Sequence, residues 1–239
     1  MPIMKSQKVY TLTGESRMID YKTKVQEVLE RIYSKEYKSN FSEDLMALVR
    51  TDPVIDGLFV NALNPEGHGG YFQFLKEIVM ATKPMHVVEL GNREGMSTVS
   101  IIDGMRTNAS GYFTSVDIIN DLRFVPEEAK RYPYVNFVFG DCLDPKTVSQ
   151  ISANGPIDIL FLDTIHTKAQ LKAEWSTYEP LLADEALILI DDVDLNDKGQ
   201  AFADIKHEKF NDIKLHVSGF GVVFYKRDLR TDEEFWDQQ

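Results

Sequence analysis

The sequence predicts an α/β fold: a doubly wound sheet, mostly parallel, with a C-terminal antiparallel hairpin strand and an N-terminal helical extension. Three observations predict it. Beyond Pro84, short apolar runs alternate with stretches long enough for crossover helices. Before Pro84, apolar residues recur at three- and four-residue steps. Near the C-terminus, two β-like runs lie on either side of Ser218-Gly219.

In chain order, Tyr21, Val25, Val28, Leu29, Ile32 and Tyr33 define an amphipathic helix. A second helix is expected over 43–49, ended near Asp52-Pro53, and a third over 71–81, between Gly69-Gly70 and Lys83-Pro84. Between them, 61–70 carries Pro65, Gly67 and His68 and reads as a loop. His68, Tyr71 and Phe72 suit a lid over the crevice, and Tyr71 and Phe72 equally suit the core face of a helix. Strands are expected over 86–90, 112–117, 135–139, 157–162 and 186–190, giving five βα units. A helix around 200–206 follows, and then strands 213–217 and 221–225 form the hairpin. This divides the chain into a helical extension or lid (1–83), a ligand-binding α/β domain (84–228) and an acidic tail (229–239).

Composition narrows the function. Of 239 residues, 43% are hydrophobic and 27% charged, a globular balance able to bury a core. A net charge of -12 repels phosphate backbones and anionic membrane surfaces, so neither nucleic acid nor membrane is an expected partner. No apolar run approaches the ~20 residues of a membrane span, and a cytoplasmic protein is expected. Cys142 is the only cysteine, which leaves oxygen and imidazole as the metal ligands on offer. A small-molecule substrate is the expected partner, and self-association is left open.

The first strand runs into Glu89-Leu90-Gly91-Asn92-Arg93-Glu94-Gly95-Met96-Ser97. Glycines there let backbone approach a ligand or adopt positive φ, and a helix starting near Gly95 directs N–H groups and a positive dipole end into the crevice. The spacing G-x-x-x-G-x-S differs from the G-x-G-x-x-G of dinucleotide binders and suits the methionine portion of S-adenosylmethionine. Glu89, Gly91, Gly95 and Ser97 are therefore candidate cofactor contacts. Asp117 closes the second strand, where an acidic residue accepts hydrogen bonds from ribose hydroxyls. Asp141 follows the third strand, where it can reach an adenine amino group or cap a helix. Cys142 reads as a small buried residue.

Seven segments in order carry a family resemblance: V-V-E-L-G-x-x-x-G-x-S at 87–97, S-V-D-I at 115–118, G-D-C at 140–142, F-L-D-T-I-H at 161–166, P-L-L at 180–182, I-D-D-V at 190–193 and G-F-G-V-V-F at 219–224. In these the chain resembles the class I O-methyltransferases of the catechol and caffeoyl-CoA type and the cephalosporin-hydroxylase-like and macrocin-type group. The resemblance implies a Rossmann-like fold, S-adenosylmethionine as cofactor, and methyl transfer.

Asp163 ends the fourth strand and Asp191-Asp192 the fifth. Carboxylates at neighbouring strand ends repel one another unless they share a cation or proton, and oxygen ligands favour Mg²⁺, Mn²⁺ or Ca²⁺. The resemblance implies the same three positions as magnesium ligands, with Asp192 in place of asparagine. Helix capping is the alternative for Asp163 and Asp191. His166 lies where the cephalosporin-hydroxylase-like group has histidine, implying a general base with Asp163 beside it at the catalytic centre; opening the next helix is its other reading. Ile165 departs from both groups, which usually carry a second aspartate there. The sequence thus predicts a metal-assisted O-methyltransferase, against two alternatives: a hydroxylase-like metal-dependent relative and a nicotinamide-dependent oxidoreductase.

Overall fold

The computed structural model describes residues 20–37, 70–108 and 110–227. The expected helix over 43–49, most of the 61–70 loop with His68, and the acidic tail lie outside the described residues. The elements are α1 (Tyr21–Ile32), α2 (Gly70–Thr82), β1 (His86–Leu90), α3 (Met96–Arg106), β2 (Tyr112–Asp117), β3 (Val135–Phe139), α4 (Pro145–Ser152), β4 (Ile157–Leu162), α5 (Lys168–Tyr178), β5 (Leu182–Asp191), α6 (Lys198–Asp204), β6 (Glu208–Asn211) and β7 (Phe220–Lys226).

The strands form one sheet in the order β3-β2-β1-β4-β5-β7-β6. β3 through β5 run parallel, and β7 lies antiparallel between β5 and β6. The winding reverses between β1 and β4, so their carboxyl ends open a crevice where ligands bind in such sheets. Period-two alternation builds both faces. Val87, Phe113, Phe161 and Leu189 pack with α1, α2 and α3 residues on one side, while Val88, Leu160, Leu162 and Ile188 pack with Trp175 and Tyr178 of α5 on the other. Tyr71 and Phe72 are buried in the first cluster, so the core reading of these rings holds.

Three expectations are corrected. The hairpin is not 213–217 against 221–225: the partner of β7 is Glu208–Asn211, and 212–219 is a connecting loop. Ile213, Leu215 and Val217 alternate like a strand, but Asp212 Oδ1 accepts from the N–H groups of Lys214 and Leu215 and turns the chain away. No α-helix joins β2 to β3; residues 118–134 carry one 3₁₀ turn, Ala129–Arg131, in a stretch containing Pro126 and Pro133. The last helix begins at Lys198, ahead of the expected 200.

No helix among the described residues is long and apolar enough to cross a membrane. Helices α2 and α3 pack closely at Gly104, beside a buried ion pair in which Lys76 Nζ lies 2.9 Å from Asp103 Oδ2. A Cβ on Gly104 would stand 2.8 Å from Lys76 O and 2.9 Å from Val79 Cβ. Overpacking of that kind costs ~1–3 kcal/mol, against a helix-propensity gain of at most ~1 kcal/mol. Gly104→Ala should therefore lower the urea midpoint, and an unchanged or raised midpoint would show that the two helices separate freely.

Candidate active site

The carboxyl ends of β1, β2, β4 and β5 bring the candidate residues together, and the turn after β1 comes first. Gly91 has φ +86°, and a Cβ there would lie 2.1 Å from the carbonyl oxygen of Asp163. Its neighbour is thus the β4 end, and the glycine brings the turn after β1 against the acidic site. Gly95, with φ +93°, is the N-cap of α3 and supplies no capping side chain. The first N–H groups of α3 are accordingly left without a side-chain cap.

Glu89 and Ser97 serve the loop from beneath. Glu89 is fully buried, and its carboxylate accepts from Ser97 Oγ (2.6 Å), Thr98 Oγ1 (2.6 Å) and Ser115 Oγ (2.7 Å). Burial pushes its pKa up to about 7 against the three hydroxyl donors. Asp117 works from β2: Oδ2 accepts from the N–H groups of Asn92 (2.9 Å) and Arg93 (2.8 Å), and Oδ1 from that of Ile119 (2.9 Å). The Asn92 amide donates to Ser115 Oγ, while its Oδ1 is buried without a hydrogen-bond partner.

Asp141 is exposed and folds back on Leu143 N, while the cap of α4 is Asp144, whose side chain accepts from Lys146 N. Cys142 is buried, with its thiol pushed up to about 12 by burial and by Glu174, which rules out an easily formed thiolate.

Asp163, Asp191 and Asp192 converge, and none of them caps a helix. Thr167 caps α5, and Asp197 precedes α6. His166 is thus also free of the capping role. Its Nδ1 lies 3.1 Å from Asp192 Oδ2 but without hydrogen-bond alignment, so this buried nitrogen has no hydrogen-bond partner. Burial holds His166 below its ordinary pKa despite Asp192, which favours neutral imidazole. Burial, with Asp191 next, raises Asp163 well above the usual carboxylate range. Asp192 adopts φ +55°, turning the chain sharply after β5.

Two residues here escape sequence reasoning. Lys198 is fully buried at the start of α6, with Nζ donating to Asp191 O at 2.6 Å. Burial lowers its pKa, and Asp163, Glu174, Asp191 and Asp192 oppose that shift. His216, in the loop before β7, meets Asp191 Oδ1 through Nδ1 at 2.8 Å and stands 3.3 Å from Asp192 Oδ1. Burial would lower its pKa, but the Asp191 hydrogen bond and both carboxylate charges raise it overall. Two sets of ligand atoms lie within 4.8 Å of one another: Asp163, His166 and Asp192, and Asp191, Asp192 and His216. Each joins carboxylates to one imidazole.

Residues 88–193 match a family model described as a methyltransferase domain. No curated protein sequence matches the chain. Among solved structures, the fold is similar to an SAH-bound methyltransferase from Podospora anserina, with a TM-score of 0.57 and 16% identity over 90% of this chain and 100% of that one. It is similar also to an O-methyltransferase from Bacillus cereus in complex with SAH (TM-score 0.52, 15% identity, 86% and 100% covered). A third is an O-methyltransferase of tomaymycin synthesis from Streptomyces achromogenes, bound to SAM (TM-score 0.54, 14% identity, 87% and 100% covered). At these identities the likeness establishes the Rossmann-like methyltransferase fold.

The raised pKa of Glu89 has a stability consequence. The folded chain holds this proton up to about pH 7, whereas the unfolded chain releases it near 4.5. The Glu89 contribution therefore falls as pH rises from 4.5 to 7 and is constant above. Glu89→Gln should remove that decline, so the difference between wild-type and variant urea unfolding free energies should slope across this window. Parallel curves would mean that Glu89 titrates as in the unfolded chain.

Proposed function

We propose that the chain, whose residues 88–193 match a methyltransferase domain, transfers the methyl group of S-adenosylmethionine to a hydroxyl oxygen of a small-molecule acceptor, assisted by a divalent cation. The observation that carries this reading is the contact between loop and acidic site. Gly91 lies against the Asp163 backbone, and Asp163 stands in one compact group with His166 and Asp192.

The residues fit the donor. The first N–H groups of α3 suit its carboxylate, and buried Asn92 Oδ1 is an acceptor for its ammonium group. Asp117 is already fixed by three backbone N–H groups, and a carboxylate has about four acceptor positions, so it can also take a ribose hydroxyl. Asp141, exposed beyond β3, suits the adenine amino group.

They fit a cation as well, since Asp191, Asp192 and His216 offer two carboxylates and an imidazole whose ligand atoms lie within 4.8 Å of one another. A divalent ion bound at Asp163, Asp191 and Asp192 would supply positive charge that acidifies the acceptor hydroxyl. His166 would take the hydroxyl proton at Nε2, with the ring's own proton on Nδ1, 3.1 Å from Asp192 Oδ2. The acceptor oxygen would attack the methyl carbon on the sulfonium, forming O–CH₃ as S–CH₃ breaks, with S-adenosylhomocysteine as the leaving group. Positioning of the two reactants is the larger part of the rate enhancement.

Calorimetric titration with S-adenosylhomocysteine and NAD tests the donor. S-adenosylhomocysteine should bind and NAD should not, and Asp117→Ala should weaken the former ~10–100-fold, the value of a charge-assisted hydrogen bond together with a loosened loop. Unchanged affinity would move the ribose contact elsewhere, and preferred NAD binding would refute methyl transfer. For the chemistry, His166→Ala should lower kcat by ~10²–10⁴ with donor affinity held within a few-fold. A near-normal kcat, in turnover of an acceptor found by screening hydroxylated compounds, would remove His166 from the base role.

A further inference from the structure

We propose that the cation site is a mixed imidazole–carboxylate centre in which His216 Nδ1 is a ligand beside Asp191 and Asp192, and that it selects a transition-metal ion such as Mn²⁺ or Co²⁺ over Mg²⁺. The proposal rests on the reading above that a divalent ion binds here, and it goes further in naming a ligand from the β6–β7 loop and the class of ion.

His216 Nδ1 is 2.8 Å from Asp191 Oδ1 and 3.3 Å from Asp192 Oδ1, so one nitrogen faces two carboxylates from consecutive residues. The three ligand atoms lie within 4.8 Å of one another, the span of donors around a single ion. His216 Nδ1 and Asp191 Oδ1 are within hydrogen-bond distance, and an ion bound there would take the place of the shared proton, since metal ligands bind deprotonated. The second observation is independent. On the other side of Asp192, His166 Nδ1 is buried 3.1 Å from Oδ2 with no hydrogen-bond partner. Asp192 is common to both groups, and each of its oxygens has an imidazole nitrogen near it.

Charge and coordination favour the same class of ion. Lys198 already offsets the carboxylates from the buried side, donating to Asp191 O. A hard ion such as Mg²⁺ or Ca²⁺ prefers oxygen alone, whereas imidazole raises affinity for ions later in the first transition row. The His216 ring is held from behind by Tyr71, with centroids 5.1 Å apart, and its carbonyl accepts from Gly219 N at 2.9 Å. A preset imidazole at the site gives nitrogen coordination little additional ordering cost.

The test uses the full chain and the metal ions alone. Mn²⁺ binding is followed through the electron paramagnetic resonance of free Mn²⁺, with Mg²⁺ as competitor, and Co²⁺ binding by visible absorption. Wild type should bind Mn²⁺ and Co²⁺ roughly tenfold or more tightly than Mg²⁺. His216→Gln should lose that preference and change Mg²⁺ affinity by less than about threefold. Pulsed resonance of bound Mn²⁺ in wild type grown with ¹⁵N-histidine should show nitrogen coupling, a readout independent of whether the variant folds. Saturable Mg²⁺ and Mn²⁺ binding of equal strength, without nitrogen coupling, overturns this proposal and leaves metal-assisted transfer standing. Nitrogen coupling that persists unchanged in His216→Gln also overturns it, by assigning the nitrogen to His166. Absence of any saturable divalent binding overturns both.

Discussion

The structure at the crevice depends on how negative charge is held at the carboxyl ends of β4 and β5. Asp163, Asp191 and Asp192 meet there, partly or fully out of water, where unpaired charge costs several kcal/mol per ion. Lys198 opposes them from within the protein, its ammonium bound to the Asp191 carbonyl. His216 opposes them from the loop before β7. Such a balance fixes three elements relative to one another. The left-handed turn at Asp192 aims its carboxylate between two imidazoles, α6 must start where Lys198 reaches inward, and β7 must lie beside β5 to carry its preceding loop across.

A second carboxylate arrangement holds the turn after β1. Glu89 and Asp117 lie on adjacent strands, one buried beneath the turn after β1 and the other at its edge. Their acceptor oxygens take hydroxyls and backbone N–H groups from β2, α3 and the turn itself. Rigidity follows from these local hydrogen bonds, and the packing of Gly91 on Asp163 transmits it to the acidic site. The turn after β1 and the group of Asp163, His166 and Asp192 are therefore one unit, and in the proposed transfer such a unit would place the reacting groups in advance of binding.

Much of this was legible in the sequence, and the exceptions have physical causes. The first four strands were readable because each is a short apolar run closed by glycine or aspartate, and the two-sided burial of β1, β2 and β4 matches a sheet covered on both faces, while edge strand β3 buries only Val138. The strand-end aspartates were readable because a parallel sheet sends its carboxyl ends to one edge. Lys198 was not, since a lysine near a helix start reads as a solvated residue and only tertiary packing buries it. His216 was hidden by the alternation of Ile213, Leu215 and Val217, of which only Leu215 is buried. An earlier signal was available in Asp212, a turn-forming residue ahead of that run. Glu89 and Ser97 read in the sequence as cofactor contacts, whereas their mutual buried hydrogen bond, which makes them supports for the loop, depends on how α3 sits against β1 and is not visible in residue order.

The most direct test of the account is the structure of the full chain with S-adenosylhomocysteine bound. The account predicts ribose hydroxyls on Asp117, the adenine amino group near Asp141, the carboxylate at the start of α3, and the sulfur directed toward Asp163, His166 and Asp192. A ligand bound away from the β1–β4 crevice, or one whose sulfur points away from the acidic group, would contradict it.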